Sequence, residues 1–191
     1  MKNNIQKLNL QDYLLECFNE TNLVNELISN FHKVSFPKHK IIQDKNQVPR
    51  NLYYIESGIA RHFYKSKNKE FTSWFSKEND FMANSGFFTQ QPVHEIIVAL
   101  EDTQAYAISY YDFDKFCLKS HSLESFVRKS LAEQLYLLDQ HISSNILLSA
   151  KERYDKFVIQ FPDIVLRVPL IYIASFLGIT PETLSRVRAS K

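Results

Sequence analysis

Towards the carboxy terminus the chain reads "ITPETLSRVRASK", where Thr180, Glu182, Thr183, Ser185, Arg186, Arg188 and Lys191 stand among few apolar side chains. Hydroxyls and cations at this density are the groups that bond phosphate oxygens, and arginine can bond a guanine edge through two parallel N–H donors. Other chemistries find less support. Cys17 and Cys117 lie far apart, with no Cys-x-x-Cys pair and no Cys/His cluster at ligand spacing, which predicts two reduced thiols and no metal site. Six histidines and 21 acidic residues occur without a nucleophile elbow, a phosphate loop or a His-Glu-x-x-His spacing, so no catalytic residue and no cofactor are expected. His94 and Glu95 are adjacent, but neighbours on a strand point to opposite faces and do not form an acid–base pair.

The polar cluster needs a scaffold, and the preceding residues supply one. In "VPLIYIASFLG" Pro169 suits a first helical turn, and a two-turn helix should end at Gly178, the residue that turns a chain through positive φ. Thr180 can cap a second helix, with Pro181 at its first position and Glu182 in its first turn, where a carboxylate suits the helix dipole. Ala174, Gly178, Ile179, Leu184 and Val187 then provide a small residue at the helix crossing, the turn glycine and buried apolar positions. This spacing predicts a helix-turn-helix, with a helical hairpin of no DNA-binding role as the alternative. In a helix-turn-helix the second helix enters the major groove. Arg186 would then bond guanine, Glu182 would accept from a cytosine amino group, and Thr180, Thr183, Ser185, Arg188 and Lys191 would hold phosphates. A solvated polar face is the alternative for any one of them.

Bulk properties bound the rest. The chain has 191 residues, 45% of them hydrophobic, enough for one large or two small globular domains. Its 23 basic and 21 acidic residues leave a net charge of only +2, so nucleic-acid contact must come from a local patch. No apolar run approaches membrane-spanning length and the amino terminus lacks a signal-peptide core, which predicts a cytoplasmic protein without membrane contact. Two short amphipathic helices are expected around Leu10 to Phe18 and Leu23 to Phe31. From Lys33 to Ser109 the segments "KVSF", "LYYIE", "IARHFY", "EFTSWF", "EIIVAL" and "AYAIS" are short, aromatic or β-branched, and separated by turn residues, the pattern of an antiparallel sandwich, roll or barrel. Helical texture returns in "YYDFDKFCLK" and in a long segment from Ser122 to about Leu148 with no Gly or Pro. Within it Leu131, Leu135, Leu138 and Ile142 recur at intervals of four and three, a coiled-coil seam that predicts a dimer helix, or else a face packed on the roll of the same chain. "SAKE" is a capping box, Ser149 with Glu152, opening a helix that stops before Pro162.

In that order, a roll, a long helix and a terminal helix-turn-helix resemble the Crp/Fnr family of bacterial transcription regulators over nearly the whole chain. The matching stretches are "LYYIESGIARHFY", "ENDFMANSGFF" and "YIASFLGITPETLSRVR". The resemblance implies an α+β fold: a sensor domain over residues 1–121, built as an antiparallel cyclic-nucleotide-binding-like jelly roll with flanking helices, a dimerisation helix over 122–148 and a DNA-binding domain over 149–191. It also implies a homodimer on a palindromic operator, with RNA polymerase and a small-molecule effector as further partners. Family members that bind cyclic AMP carry a Gly-Glu pair for the ribose and an Arg-Ser or Arg-Thr pair for the cyclic phosphate. A gapless match puts Ala83 and Asn84 at the first pair and His94 and Glu95 at the second, and none of the four agrees. A carboxylate where an anion should be received predicts that cyclic AMP does not bind by the usual route. Cys17 alone cannot hold the iron–sulfur cluster of the oxygen-sensing branch, and His62, His94 and His121 give no positive sign of a haem ligand. The sequence ends soon after the second helix, where other members continue into a β-hairpin wing, so either a wing is absent or the sequence stops short of it. The expected function is a dimeric, sequence-specific transcription regulator; the alternative is a cyclic-nucleotide or other small-ligand binding module with an accessory helical tail.

Overall fold

The structure, a computed structural model, describes residues 9–18, 20–67 and 69–189. The chain forms two compact units, one of Met1–His62 with Ser76–Arg128, the other of Phe63–Phe75 with Lys129–Lys191.

The first unit opens with helices α1 (Leu10–Phe18) and α2 (Thr21–Ile28), packed on each other. Strands follow: β1 (His32–Phe36), β2 (Ile41–Gln43), β3 (Asn51–Ser57), β4 (Ala60–Ser66), β5 (Lys69–Ser76), β6 (Phe81–Met82), β7 (Glu95–Ala99) and β8 (Thr103–Ser109), with helix α3 (Ser85–Thr89) between β6 and β7. They make two four-stranded sheets, ordered β1-β8-β3-β6 and β2-β7-β4-β5. From Phe63 onward β4, and all of β5 except Ser76, belong to the second unit. This is the antiparallel roll that the short aromatic segments predict. Its register places Leu52 opposite Ile108 and Tyr54 opposite Tyr106, so the period-two alternation of β3 sends Leu52 and Tyr54 inward together. Leu10, Leu14, Val24, Leu27, Leu52, Tyr54, Phe87 and Ile108 share one apolar cluster with Phe113, Phe116 and Leu123 from α4 (Tyr110–Lys119) and the start of α5 (His121–Leu147). Gly58, between β3 and β4, has φ +110°, and a side-chain carbon there would stand 2.7 Å from Thr103 Cα, so the turn excludes any larger residue.

In the second unit α5 runs on to Leu147 and is followed by α6 (Ala150–Gln160), α7 (Pro162–Arg167), α8 (Leu170–Phe176) and α9 (Pro181–Ala189). The expected capping box is formed: Ser149 Oγ accepts from Glu152 N at 3.3 Å and Ser149 N donates to a Glu152 carboxylate oxygen at 2.8 Å. Hydrogen bonding from the Ser149 side chain, and then from its backbone N–H, holds the Glu152 carboxyl below its ordinary range. Pro162 ends α6 as expected but also opens α7, a short helix the sequence reading omits, as it omits α3. Pro169 caps α8 from outside, with φ −55° and ψ 134°, rather than lying in its first turn as expected. Trp74 and Phe75 of the β5 segment join Phe157, Phe161 and Phe176 in an aromatic cluster. Ser175 Oγ accepts from Thr72 N and donates to Glu70 O, both at 2.9 Å, closing the exposed edge of β5. No helix among the described residues is long and apolar enough to cross a membrane.

Candidate functional site

The polar residues nominated at the carboxy terminus stand on α9, which packs against α6 and α8. Leu177, Gly178, Ile179 and Thr180 separate α8 from α9, and the turn closes through Ile179 N to Ala174 O at 3.0 Å, with Gly178 at φ +64°. Thr180 Oγ1 accepts from Thr183 N at 3.2 Å, the predicted N-cap. Glu182 lies in the first turn, its carboxyl held below the ordinary range by hydrogen bonds from the helix start, chiefly a backbone N–H and then Thr180. Ala174 and Leu184 are fully buried, whereas Thr180, Glu182, Ser185, Arg186 and Arg188 are exposed and Thr183 is half-buried. Arg186 Nη2 donates to Thr183 Oγ1 at 3.3 Å, so the guanidinium lies back along the helix towards its first turn. One side of α9 is therefore spent on the core while the other presents hydroxyls, two arginines and a carboxylate to solvent. Lys191 lies outside the described residues.

The nominated pocket residues separate into two pairs. Asn84 and Glu95 meet inside the roll: Asn84 Nδ2 donates to a Glu95 carboxylate oxygen at 2.5 Å. Two residues that the sequence reading did not nominate complete the cluster. His62 of β4 places Nδ1 3.3 Å from the same oxygen and Nε2 2.9 Å from Ser76 Oγ at the end of β5. Asn84, His62 and Ser76 are all buried, and Asn84 Oδ1 has no hydrogen-bond partner. Asn84 occupies the N-cap position of α3 yet makes no cap bond, because its amide is turned to the carboxylate. His94 is exposed, and Ala83 packs against the apolar core, so neither joins the cluster. No group of three or more His, Cys, Asp or Glu side chains among the described residues is placed to hold a metal ion. Both cysteines are free, and burial pushes the Cys117 thiol up to about 12, which makes it a poor nucleophile.

On α5 the seam residues Leu131, Leu135, Leu138 and Ile142 are exposed by 43, 69, 45 and 57%. Leu123 alone is buried on that helix, so four large apolar side chains stand uncovered in line.

The family profile of the cyclic nucleotide-binding domain matches residues 33–120, the span from β1 to the end of α4. Among solved structures the chain is similar to FixK2 from Bradyrhizobium japonicum, with TM-score 0.76, 19% identity, and coverage of 84% of this chain and 83% of that one. It is also similar to CLP of Xanthomonas campestris, a c-di-GMP-responsive global regulator, with TM-score 0.72, 15% identity, and 90% and 91% of the two chains covered. A mutant of CooA from Carboxydothermus hydrogenoformans gives TM-score 0.72 at 20% identity, with 98% of this chain and 85% of that one covered. The chain has the Crp/Fnr fold. No curated protein matches it by sequence. Within the Crp/Fnr fold, the buried His62–Glu95–Asn84–Ser76 cluster lies inside the domain that the profile matches, and the exposed face of α9 lies outside it. His62 and Ser76 escaped the sequence reading because their contacts with Glu95 and with each other depend on how β4, β5 and β7 pair. The one available signal was "IARHFY", in which two adjacent polar side chains, Arg61 and His62, interrupt an apolar strand and are both buried.

Proposed function

We propose that the protein is a homodimeric, sequence-specific DNA-binding transcription regulator in which α8 and α9 form a helix-turn-helix and α9 reads the major groove. The observation that carries this reading is the division of α9 into a buried side anchored by Leu184 and an exposed side bearing Ser185, Arg186 and Arg188. Arg186, near the middle of the helix, is suited to guanine, and the exposed hydroxyls and Arg188 are suited to phosphates. A second subunit would cover the seam of α5, bringing two reader helices to the half-sites of a palindrome.

The roll serves as a sensor whose anion position is occupied by its own groups. Glu95 is engaged with His62 and Asn84, so a cyclic phosphate entering there would meet a carboxylate instead of a guanidinium clamp. A small-ligand binding module is the second reading, favoured by the profile match over residues 33–120. Two titrations separate them. Fluorescence anisotropy with a random-sequence duplex in dilute buffer should show binding that weakens steeply with salt, as phosphate neutralisation requires. Calorimetry with cyclic AMP should show no heat of binding. Indifference to every duplex, together with micromolar nucleotide affinity, would reverse the choice.

A further inference from the structure

The second unit contains a cleft apart from the exposed face of α9 and from the His62–Glu95 cluster. It is lined by Trp74, by α5 from Leu137 to Asn145, by α6 from Arg153 to Phe161, and by Phe176 and Leu177 at the end of α8. Three nitrogen-bearing groups converge on it. Arg153 is half-buried: an Nη1 hydrogen reaches Asn145 O at 3.1 Å and Asn145 Oδ1 at 3.3 Å, and Nε is buried without a partner. Lys156 Nζ donates to Ser144 Oγ at 2.9 Å and to Gln140 Oε1 at 3.4 Å. His141 stacks on Phe176 with ring centroids 4.3 Å apart. In these bonds both cations donate to neutral oxygens. Among the described residues no carboxylate lines the cleft, so an oxyanion there would be the counter-charge that Lys156 and the guanidinium otherwise lack.

The hydrogen-bond directions are consistent with a site kept positive. Arg153 occupies Asn145 Oδ1, so the Asn145 amide nitrogen faces His141 Nε2 at 3.1 Å and donates to it. That ring nitrogen must accept, which keeps the imidazole neutral. Burial, with Arg153 and Lys156 adding repulsion, lowers the His141 pKa below its ordinary value. The imidazole is therefore a reporter of the local field: a bound anion would offset the two cations and let its pKa rise.

We propose that this cleft binds a single phosphate-class oxyanion, held between Arg153 and Lys156 of α6 with the end of α5 forming the opposite wall. Its volume of about 40 Å³ gives room for about three water-sized centres, enough to seat one oxyanion group. The lining residues come from both sides of the junction at Leu148 and Ser149, so the anion would tie the end of α5 to α6 across that elbow. The oxyanion could be free phosphate, the phosphate end of a metabolite, or a phosphate of the DNA backbone. The inference does not depend on DNA recognition by α9.

Nitrogen-15-labelled full-length protein tests it, with the His141 signal identified from a His141→Gln variant. Inorganic phosphate is titrated against chloride at matched ionic strength, and a duplex is titrated in chloride as a second arm. Saturable movement of the His141 signal with phosphate, together with a raised His141 pKa, supports the site and a free anion. Movement with duplex alone supports the site and assigns the oxyanion to the DNA backbone. In either case Lys156→Gln, a change outside the apolar core, should weaken the response about tenfold. A His141 titration identical in phosphate, chloride and duplex overturns the proposal, as does a response that Lys156→Gln leaves unchanged. Loss of duplex binding with the phosphate response retained would reject the reader and leave the cleft standing.

Discussion

Arg186 is the side chain on which base selection should turn. Its guanidinium is exposed and braced by the Thr183 hydroxyl, which it can leave for a base edge at small cost. Arg186→Ala should cost about 1 to 3 kcal/mol at a preferred site and relax the choice at one position, whereas Arg188→Ala should weaken all duplexes alike and flatten the salt dependence. Titrations on a matched set of single-base variants distinguish the two patterns. A different residue, Asp80, should set a pH response in the roll. Asp80 accepts from Lys77 N at 2.8 Å, but burial outweighs that bond and pushes its carboxyl up to about 6. Between the ordinary carboxylate range and pH 6 the folded chain holds a proton that the unfolded chain has released, so stability falls as pH rises through that window. Asp80→Asn can keep the Lys77 bond and should remove the slope, raising stability near neutrality by on the order of 2 kcal/mol. Melting temperatures of the two proteins from pH 4 to pH 7 would show converging curves at the acid end. Parallel curves would mean that the carboxyl is not the source. Single residues were also where the sequence spoke most unevenly: Thr180 and Ser149 announced their caps by local spacing, while His62 and Ser76 were silent because their partners arrive from other strands.

Among the elements, the roll was legible as short aromatic or β-branched segments between turn residues, and the long helix as a segment without Gly or Pro in which apolar residues recur at intervals of four and three. Short helices were not. α3 spans five residues and α7 six, too few for periodicity to declare itself, and α7 begins at a proline that the sequence alone marks as an end. The clasp of β5 by Ser175 was equally hidden, since Thr72 and Ser175 are 103 positions apart. Two turn glycines show why elements meet where they do. At Gly178 φ is +64°, but an added carbon would meet only Asn145 Oδ1 at 3.5 Å, so Gly178→Ala should cost about 1 kcal/mol of backbone strain and leave the fold intact. At Gly58 the same change adds a collision with the Thr103 backbone and side chain to the strain of φ +110°. Gly58→Ala should destabilise the roll by several times as much, on the order of 3 kcal/mol or more. Chemical denaturation of the pair tests the ranking, and equal losses would contradict it.

For the whole molecule, the exposed seam of α5 and the exposed face of α9 belong to one argument. Burying a large aliphatic side chain gains about 1.5 to 3 kcal/mol, so Leu131, Leu135, Leu138 and Ile142 offer a substantial drive to pair with a second copy. Leu135→Asp with Ile142→Asp should yield a monomer by light scattering, with a lowered melting temperature because the stability gained by pairing the seam is lost. That monomer should bind a palindromic duplex far more weakly, since it engages one half-site at a time. A monomeric wild type would remove the basis of this prediction. The central claim, that α9 reads base sequence as one of a twofold pair, is tested most directly by selecting bound duplexes from a random pool with the purified full-length chain. The account expects enrichment of an inverted repeat whose half-sites are centred about one helical turn apart, near 10 base pairs, or a multiple of it. A pool that emerges as random as it entered, at low salt and at protein concentrations where the dimer is formed, would contradict it.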